Sequence, residues 1–189
     1  MTKSAPSAGS VGGGGRLRLF CALQLGSDTV ECIAAWQRAH LPDTVRAVPS
    51  ENLHVTLAFL GRRPADDVPR VAAELRAAAA HARVPSFAVG RYRETPGVGM
   101  LLLEEEGMSG AAFAAELQER LERLGVYRRE ARPWLPHVTV FRARKRAGLR
   151  LDPPNTCSIH VVRSALYRSS PGPGGARYDA LDTAALGGR

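Results

Sequence analysis

Lysine is nearly absent: of 26 basic residues only Lys3 and Lys145 are not arginine, a bias of composition that by itself assigns no function. Cysteine is equally scarce. Cys21, Cys32 and Cys157 are scattered and odd in number, which excludes a disulfide framework or a cysteine metal site, and three buried free thiols in a reducing cytosol are the simplest expectation. No segment approaches the roughly 18 apolar residues of a membrane span. The first residues carry one lysine and too short an apolar stretch for a signal peptide, so a cytoplasmic protein is expected. His-x-x-x-His, Cys-x-x-Cys and acid-rich loops are also missing, so neither a metal nor any other cofactor is expected.

What is present suits one compact domain, or two small lobes sharing a core: 189 residues, 44% of them hydrophobic. The net charge of +8 is unevenly placed. Between Arg120 and Arg150 ten basic residues face two acids, Glu122 and Glu130, so that stretch equals the whole excess. Such a concentration would attract a polyanion such as RNA, although charge runs also mark solvated faces.

Along the chain, residues 1–15 are mostly Ser, Gly and Ala without apolar period and read as a disordered tail, leaving 16–189 as a single domain. Leu17 to Leu25 alternates as a strand. Asp28 with Glu31 makes a capping box for a helix to about His40, and Pro42 and Pro49 bracket the loop after it. Asp66 to Arg83 and a run from about Ser109 to the stop signal Gly125 have helical apolar spacing. Ser86 to Arg93, Val98 to Leu103, Ser158 to Ser169 and Tyr178 to Leu181 read as strands, and Gly172 to Gly175 as a loop. The order suggests α+β, with helices packed outside mainly antiparallel sheet.

One pattern occurs twice. His54-Val55-Thr56-Leu57-Ala58-Phe59 returns as His137-Val138-Thr139-Val140-Phe141-Arg142, each inside a strand-type run. In a strand, residues two apart share a face, so each copy offers one imidazole beside one hydroxyl. If the two strands lie together, two groups that titrate near neutrality can remove and supply protons, and two hydroxyls can hold phosphate oxygens. The copies are 83 residues apart, about half the folded chain, so each would sit in one of two similar lobes. His40, His81 and His160 lack the threonine and read as surface or core residues. Phe20, Phe59, Trp134 and Tyr167 are candidates for stacking on a base, against core packing. Arg132 and Arg142 lie five residues either side of His137, odd offsets that would turn them to the opposite face of a regular strand.

At these residues the sequence resembles the two-histidine phosphoesterase superfamily and, within it, the bacterial and archaeal RNA 2′,3′-cyclic phosphodiesterases, historically called 2′-5′ RNA ligases. The likeness begins at Arg18-Leu19-Phe20-Cys21-Ala22-Leu23 and runs through Glu51 to Gly61 and Arg132 to Arg142. It closes with Leu166-Tyr167-Arg168-Ser169 and Gly175 to Leu181, departing from the usual pattern at Val140, where leucine is common. It implies a bilobal α+β fold with two pseudo-symmetric lobes of mainly antiparallel sheet, outer helices and a central cleft. It implies hydrolysis of a 2′,3′-cyclic phosphate at an RNA end to a 2′-phosphate, with His54 as proton donor and His137 as proton acceptor. Thr56, Thr139, Arg132, Arg142 and Phe20 would bind substrate, without a metal and in a monomer. Two alternatives stay open: reversible 2′-5′ RNA joining at the same site, and RNA binding without catalysis.

Overall fold

The computed structural model describes residues 15–172 and 175–187. Among them the chain forms β1 (Arg16–Leu25), α1 (Ser27–His40), β2 (Arg46–Ala47), β3 (His54–Pro64), α2 (Val68–Ala79), β4 (Ser86–Thr95) and β5 (Val98–Glu106). There follow α3 (Ser109–Arg123), β6 (His137–Arg142), β7 (Ser158–Ile159), β8 (Val161–Gly172) and β9 (Gly175–Ala184). The strands join in the order β7-β4-β5-β6-β3-β1-β8-β9, with β2 attached to β6, and all pair antiparallel. The order is balanced about the β6/β3 junction, four strands to each side, which is the expected pair of lobes.

That junction is thin. Only Val55 pairs with Val138, after which the same edge of β6 passes to β2, with Phe141 opposite Ala47 and Arg142 opposite Arg46. The two halves therefore part just beside the two histidines. Behind the sheet the helices close one continuous core: Val71 and Leu75 of α2, Phe113, Leu117 and Leu121 of α3 and Ile33 of α1 are all but excluded from solvent. Each such side chain contributes about 1.5–3 kcal/mol through apolar burial. The opposite face carries a second, small cluster of Phe20, Ala22, Ala165 and Tyr167, with Tyr178 packed on it.

Both motif strands break their alternation at the same place. On β3, Thr56 pairs with Ala22 and Ala58 with Cys21, leaving Leu57 as an extra residue. On β6, Thr139 pairs with Met100 and Phe141 with Gly99, leaving Val140 extra. Each is a β-bulge one residue after the threonine, and each turns the third residue after it back to the solvent face. Phe59 and Arg142 are accordingly exposed, and the burial patterns of His54–Phe59 and His137–Arg142 coincide. A bulge takes a carbonyl out of the ladder, and in a core that carbonyl needs a donor. Gln118 of α3 supplies it to Leu57 O at 2.8 Å, and Gln37 of α1 supplies it to Val140 O at 2.6 Å. Both glutamines are buried. A second bulge at Leu60, with Gly61 at φ 71°, then sets Arg62 opposite Arg18.

Several expectations need correction. Cys32 and Cys157 form a disulfide, with Cα atoms 5.7 Å apart, so only Cys21 is a free buried thiol. An odd count excludes pairing all three but not two that the fold brings together. Burial pushes the Cys21 thiol up to about 12, which keeps it protonated and inert. The capping box is absent: the N-cap is Gly26, without a side-chain cap, and Ser27 bonds Asp28 instead. β2 is a two-residue strand that no periodicity announces, and the strand expected from Ser158 to Ser169 is broken at His160 into β7 and β8. The tail expected over residues 1–15 lies, except for Gly15, outside the described residues, as do residues 173 and 174 of the expected loop. Gly172 and Gly175 are strand ends paired with each other. No helix among the described residues is long and apolar enough to cross a membrane.

Candidate active site

The two histidines are held alike. The Nδ1 of His54 lies 2.7 Å from the Asn52 carbonyl and that of His137 lies 2.9 Å from the Leu135 carbonyl, each two residues back. A carbonyl only accepts, so both rings carry hydrogen on Nδ1 and leave Nε2 for chemistry: a lone pair when neutral, a proton when cationic. His54 Nε2 is 3.1 Å from the Thr56 hydroxyl. Extending the antiparallel register one residue either side of Val55 and Val138 sets His54 across from Thr139 and Thr56 across from His137. The cavities agree: one includes His54 with Thr139, another Thr56 with His137.

His54 stands among aromatic rings, with centroids 5.0 Å from Phe20, 5.4 Å from Tyr178 and 6.4 Å from Tyr167. Burial there strips water from the cation and lowers the imidazole pKa to about 4. The Asn52 carbonyl opposes that shift, while the charges of His137 and Arg142 add to it. Asn52 is itself buried; its amide donates to Ala176 O on β9 at 2.8 Å and ties the first motif to the far lobe edge.

In front of His54 lies a cavity of about 700 Å³ lined by His54, Thr56, Phe20, Phe59 and Tyr178 and by Arg16, Arg18, Arg46, Arg62, Arg142 and Arg168, with no acidic residue. A pocket of about 30 Å³ joins His54, Thr139, Arg46, Arg142 and Asn52. A third cavity, about 290 Å³, joins Thr56, His137, Trp134 and Arg132. Arg132 is exposed and paired with Glu130 at 2.6 Å. Arg142 and Arg46 oppose each other directly, with no salt bridge from either to a described residue. Among the described residues no three His, Cys, Asp or Glu side chains gather as metal ligands.

The seven site residues read from the sequence thus fall on one connected region. Phe20, His54, Thr56 and Arg142 share the large cavity, Thr139 the small one, and His137 and Arg132 the third. Reading the sequence missed Arg46, Asn52 and Tyr178, which line the cavities around His54. Asn52, two before the histidine, was the findable one; Arg46 sits on a strand too short to see. The basic stretch is also less basic than its count, since Arg120, Arg123, Arg129 and Arg132 are paired with neighbouring glutamates.

The sequence and the fold recur in known proteins. Residues 26–98 match the family profile described as LigT like Phosphoesterase. The RNA 2′,3′-cyclic phosphodiesterase of Escherichia coli K12 is 31% identical over 175 residues, covering 89% of this chain and 96% of that protein. The crystal structure of E. coli LigT complexed with 3′-AMP superposes with a TM-score of 0.72 at 29% identity, covering 90% of this chain and 98% of that one. TT0787 of Thermus thermophilus gives a TM-score of 0.73 at 26% identity, covering 92% and 100%. With that identity spread over almost the full length of both chains, this protein belongs to the LigT-like phosphoesterase family.

Proposed function

We propose that the protein hydrolyses the 2′,3′-cyclic phosphate at the end of an RNA to a 2′-phosphate, and that residues 16–189 act as one bilobal unit in doing so. The observation that carries this reading is the matched pair of imidazoles, each with Nδ1 pinned on the carbonyl two residues back and Nε2 left for chemistry, on strands that meet at Val55 and Val138. Water is deprotonated by His137 Nε2 as it attacks phosphorus. The bond from phosphorus to the 3′ oxygen breaks, and that oxygen takes the proton from His54 Nε2. Thr56 and Thr139 donate to the non-bridging oxygens, and Arg142 with Arg46 balances the charge gathering on them. The names of the relatives support the reaction: curated proteins from E. coli and Methanocaldococcus jannaschii are both RNA 2′,3′-cyclic phosphodiesterases, and E. coli LigT has been crystallised with 3′-AMP and with phosphate.

His54→Ala and His137→Ala should each lower turnover of a 2′,3′-cyclic nucleotide by about 10² to 10⁴, the usual worth of one positioned acid or base. Thr56→Val and Thr139→Val should cost about tenfold or less, since each removes one neutral hydrogen bond. A folded histidine variant with near-normal turnover would rule the mechanism out. Product analysis with and without a 5′-hydroxyl partner strand separates hydrolysis from joining.

A further inference from the structure

The large cavity is longer than a cyclic phosphate requires, and its far half has a chemistry of its own. Position 22 on β1 lies opposite Thr56. At about 3.3 Å per residue, Arg18 begins about 13 Å further along the strand and Arg16 about 20 Å. Arg16 and Arg18 share a face with Phe20 by alternation, and the bulges of β3 bring Phe59 and Arg62 onto the same face, across from Phe20 and Arg18. The guanidinium of Arg18 lies 4.8 Å from the centre of the Phe59 ring, which is 47% exposed. Arg18 and Arg62 are like charges directly opposed, an arrangement that costs stability in a sheet. Neither they nor Arg16 form a salt bridge with any described residue, and no acid lines the cavity. A fold that keeps opposed arginines uncompensated beside an exposed aromatic ring offers a built place for an anion next to a flat ring. Single-stranded nucleic acid, with phosphates interleaved with bases, has that pattern.

We propose that Arg16, Arg18 and Arg62, with Phe59, form a subsite for the RNA backbone upstream of the cyclic end, so that an extended single strand is the preferred substrate over a mononucleotide. This rests on the hydrolytic reading for what happens at the histidines. It sends the strand along β1 and β3, away from β6. The competing route leads past Arg142 into a cavity of about 840 Å³ beside Arg144, Lys145 and Arg146. That route has Asp43 in its wall and no aromatic residue.

The test compares binding of a 5′-labelled decanucleotide ending in a 3′-phosphate with turnover of a 2′,3′-cyclic mononucleotide. Arg16 donates to Arg62 O and is left in place. Arg18→Gln with Arg62→Gln should weaken decanucleotide binding at least tenfold at low salt. It should also flatten the slope of log affinity against log salt by about 1.4 units, two contacts at about 0.7 each for a single strand. Mononucleotide turnover should stay within twofold. Arg18→Lys with Arg62→Lys should keep most of the slope, which separates charge from packing. Unchanged decanucleotide binding would overturn the proposal. So would an equal loss of mononucleotide turnover, which would move these arginines to the cyclic phosphate itself, or a slope that responds to Arg144→Gln, Lys145→Gln and Arg146→Gln instead. Should the wild-type protein turn over no cyclic phosphate while decanucleotide binding still depends on Arg18 and Arg62, the hydrolytic reading fails and the subsite stands.

Discussion

In the proposed mechanism His54 delivers a proton from a place that disfavours holding one. Burial among the aromatic rings lowers its pKa to about 4, so at neutral pH the free protein carries a neutral ring there. In the proposed complex a phosphate beside His54 supplies the negative charge that offsets Arg142, and so favours the cation. The group's pKa must then be higher in the substrate complex than in the free protein. An acid works only when protonated, so activity falls as pH rises through its pKa. Free-protein ionisations appear in kcat/KM and those of the complex in kcat, which places the descending limb at higher pH in kcat than in kcat/KM. Coincident limbs, or a descending limb that persists unchanged in His54→Gln, would take the acid role from this residue. Reading the sequence found both histidines because the motif repeats; it could not see this tension, because Phe20, Tyr167 and Tyr178 reach His54 from three different strands.

At the scale of elements, regular alternation is the rule that failed, and it failed where the site is made. Counting by twos from His137 turns Arg142 to the wrong face, whereas the bulge at Val140 brings it back. The trace in the sequence is the adjacent apolar pairs Leu57-Ala58 and Val140-Phe141 directly after each threonine, both buried. The glutamines that make the bulges tolerable lie on helices of the other half of the chain, and nothing local marks them. Gln118→Leu would remove the side-chain donor of the buried Leu57 carbonyl at a cost of about 1–3 kcal/mol, and Gln37→Leu would remove one of the two donors to the Val140 carbonyl. The loss should appear as a lower Tm. At Gln37 turnover should fall as well, because the bulge it holds aims Arg142 and Thr139; Gln37→Glu offers no donor when ionised and should not rescue. Val48 N also donates to Val140 O at 2.9 Å, so the Gln37 variant should be the milder of the two in stability. Equal stability to wild type in both would mean the bulges do not depend on these amides.

For the molecule as a whole, the spacing of the motifs foretold two lobes, and the sheet order is balanced about their meeting point. The helices cross over: α1, following β1 of one lobe, serves the bulge of β6, and α3, following β5 of the other, serves that of β3. Such an exchange ties the lobes through side chains where the strands meet at one residue pair. The disulfide reinforces the same link, since Cys32 is on α1 and Cys157 precedes β7, 125 residues on. Closing a loop of that size restricts the unfolded chain and is worth about 2–4 kcal/mol. A chain of this length loses roughly 2–4 °C of Tm per kcal/mol, so Cys32→Ser with Cys157→Ser should lower Tm by roughly 4–16 °C. Neither cysteine lines the cavities around the histidines, so turnover of a cyclic mononucleotide below the new Tm should not change. Thiol titration of the denatured, unreduced protein should find one reactive sulfhydryl, Cys21. Three would return the chain to the free-thiol reading, and in a cytoplasm that reduces disulfides the pair would be expected to open. Tm measured with and without dithiothreitol therefore reports how much of the tie between lobes rests on the disulfide, and a Tm indifferent to reductant would leave Gln37 and Gln118 to carry it.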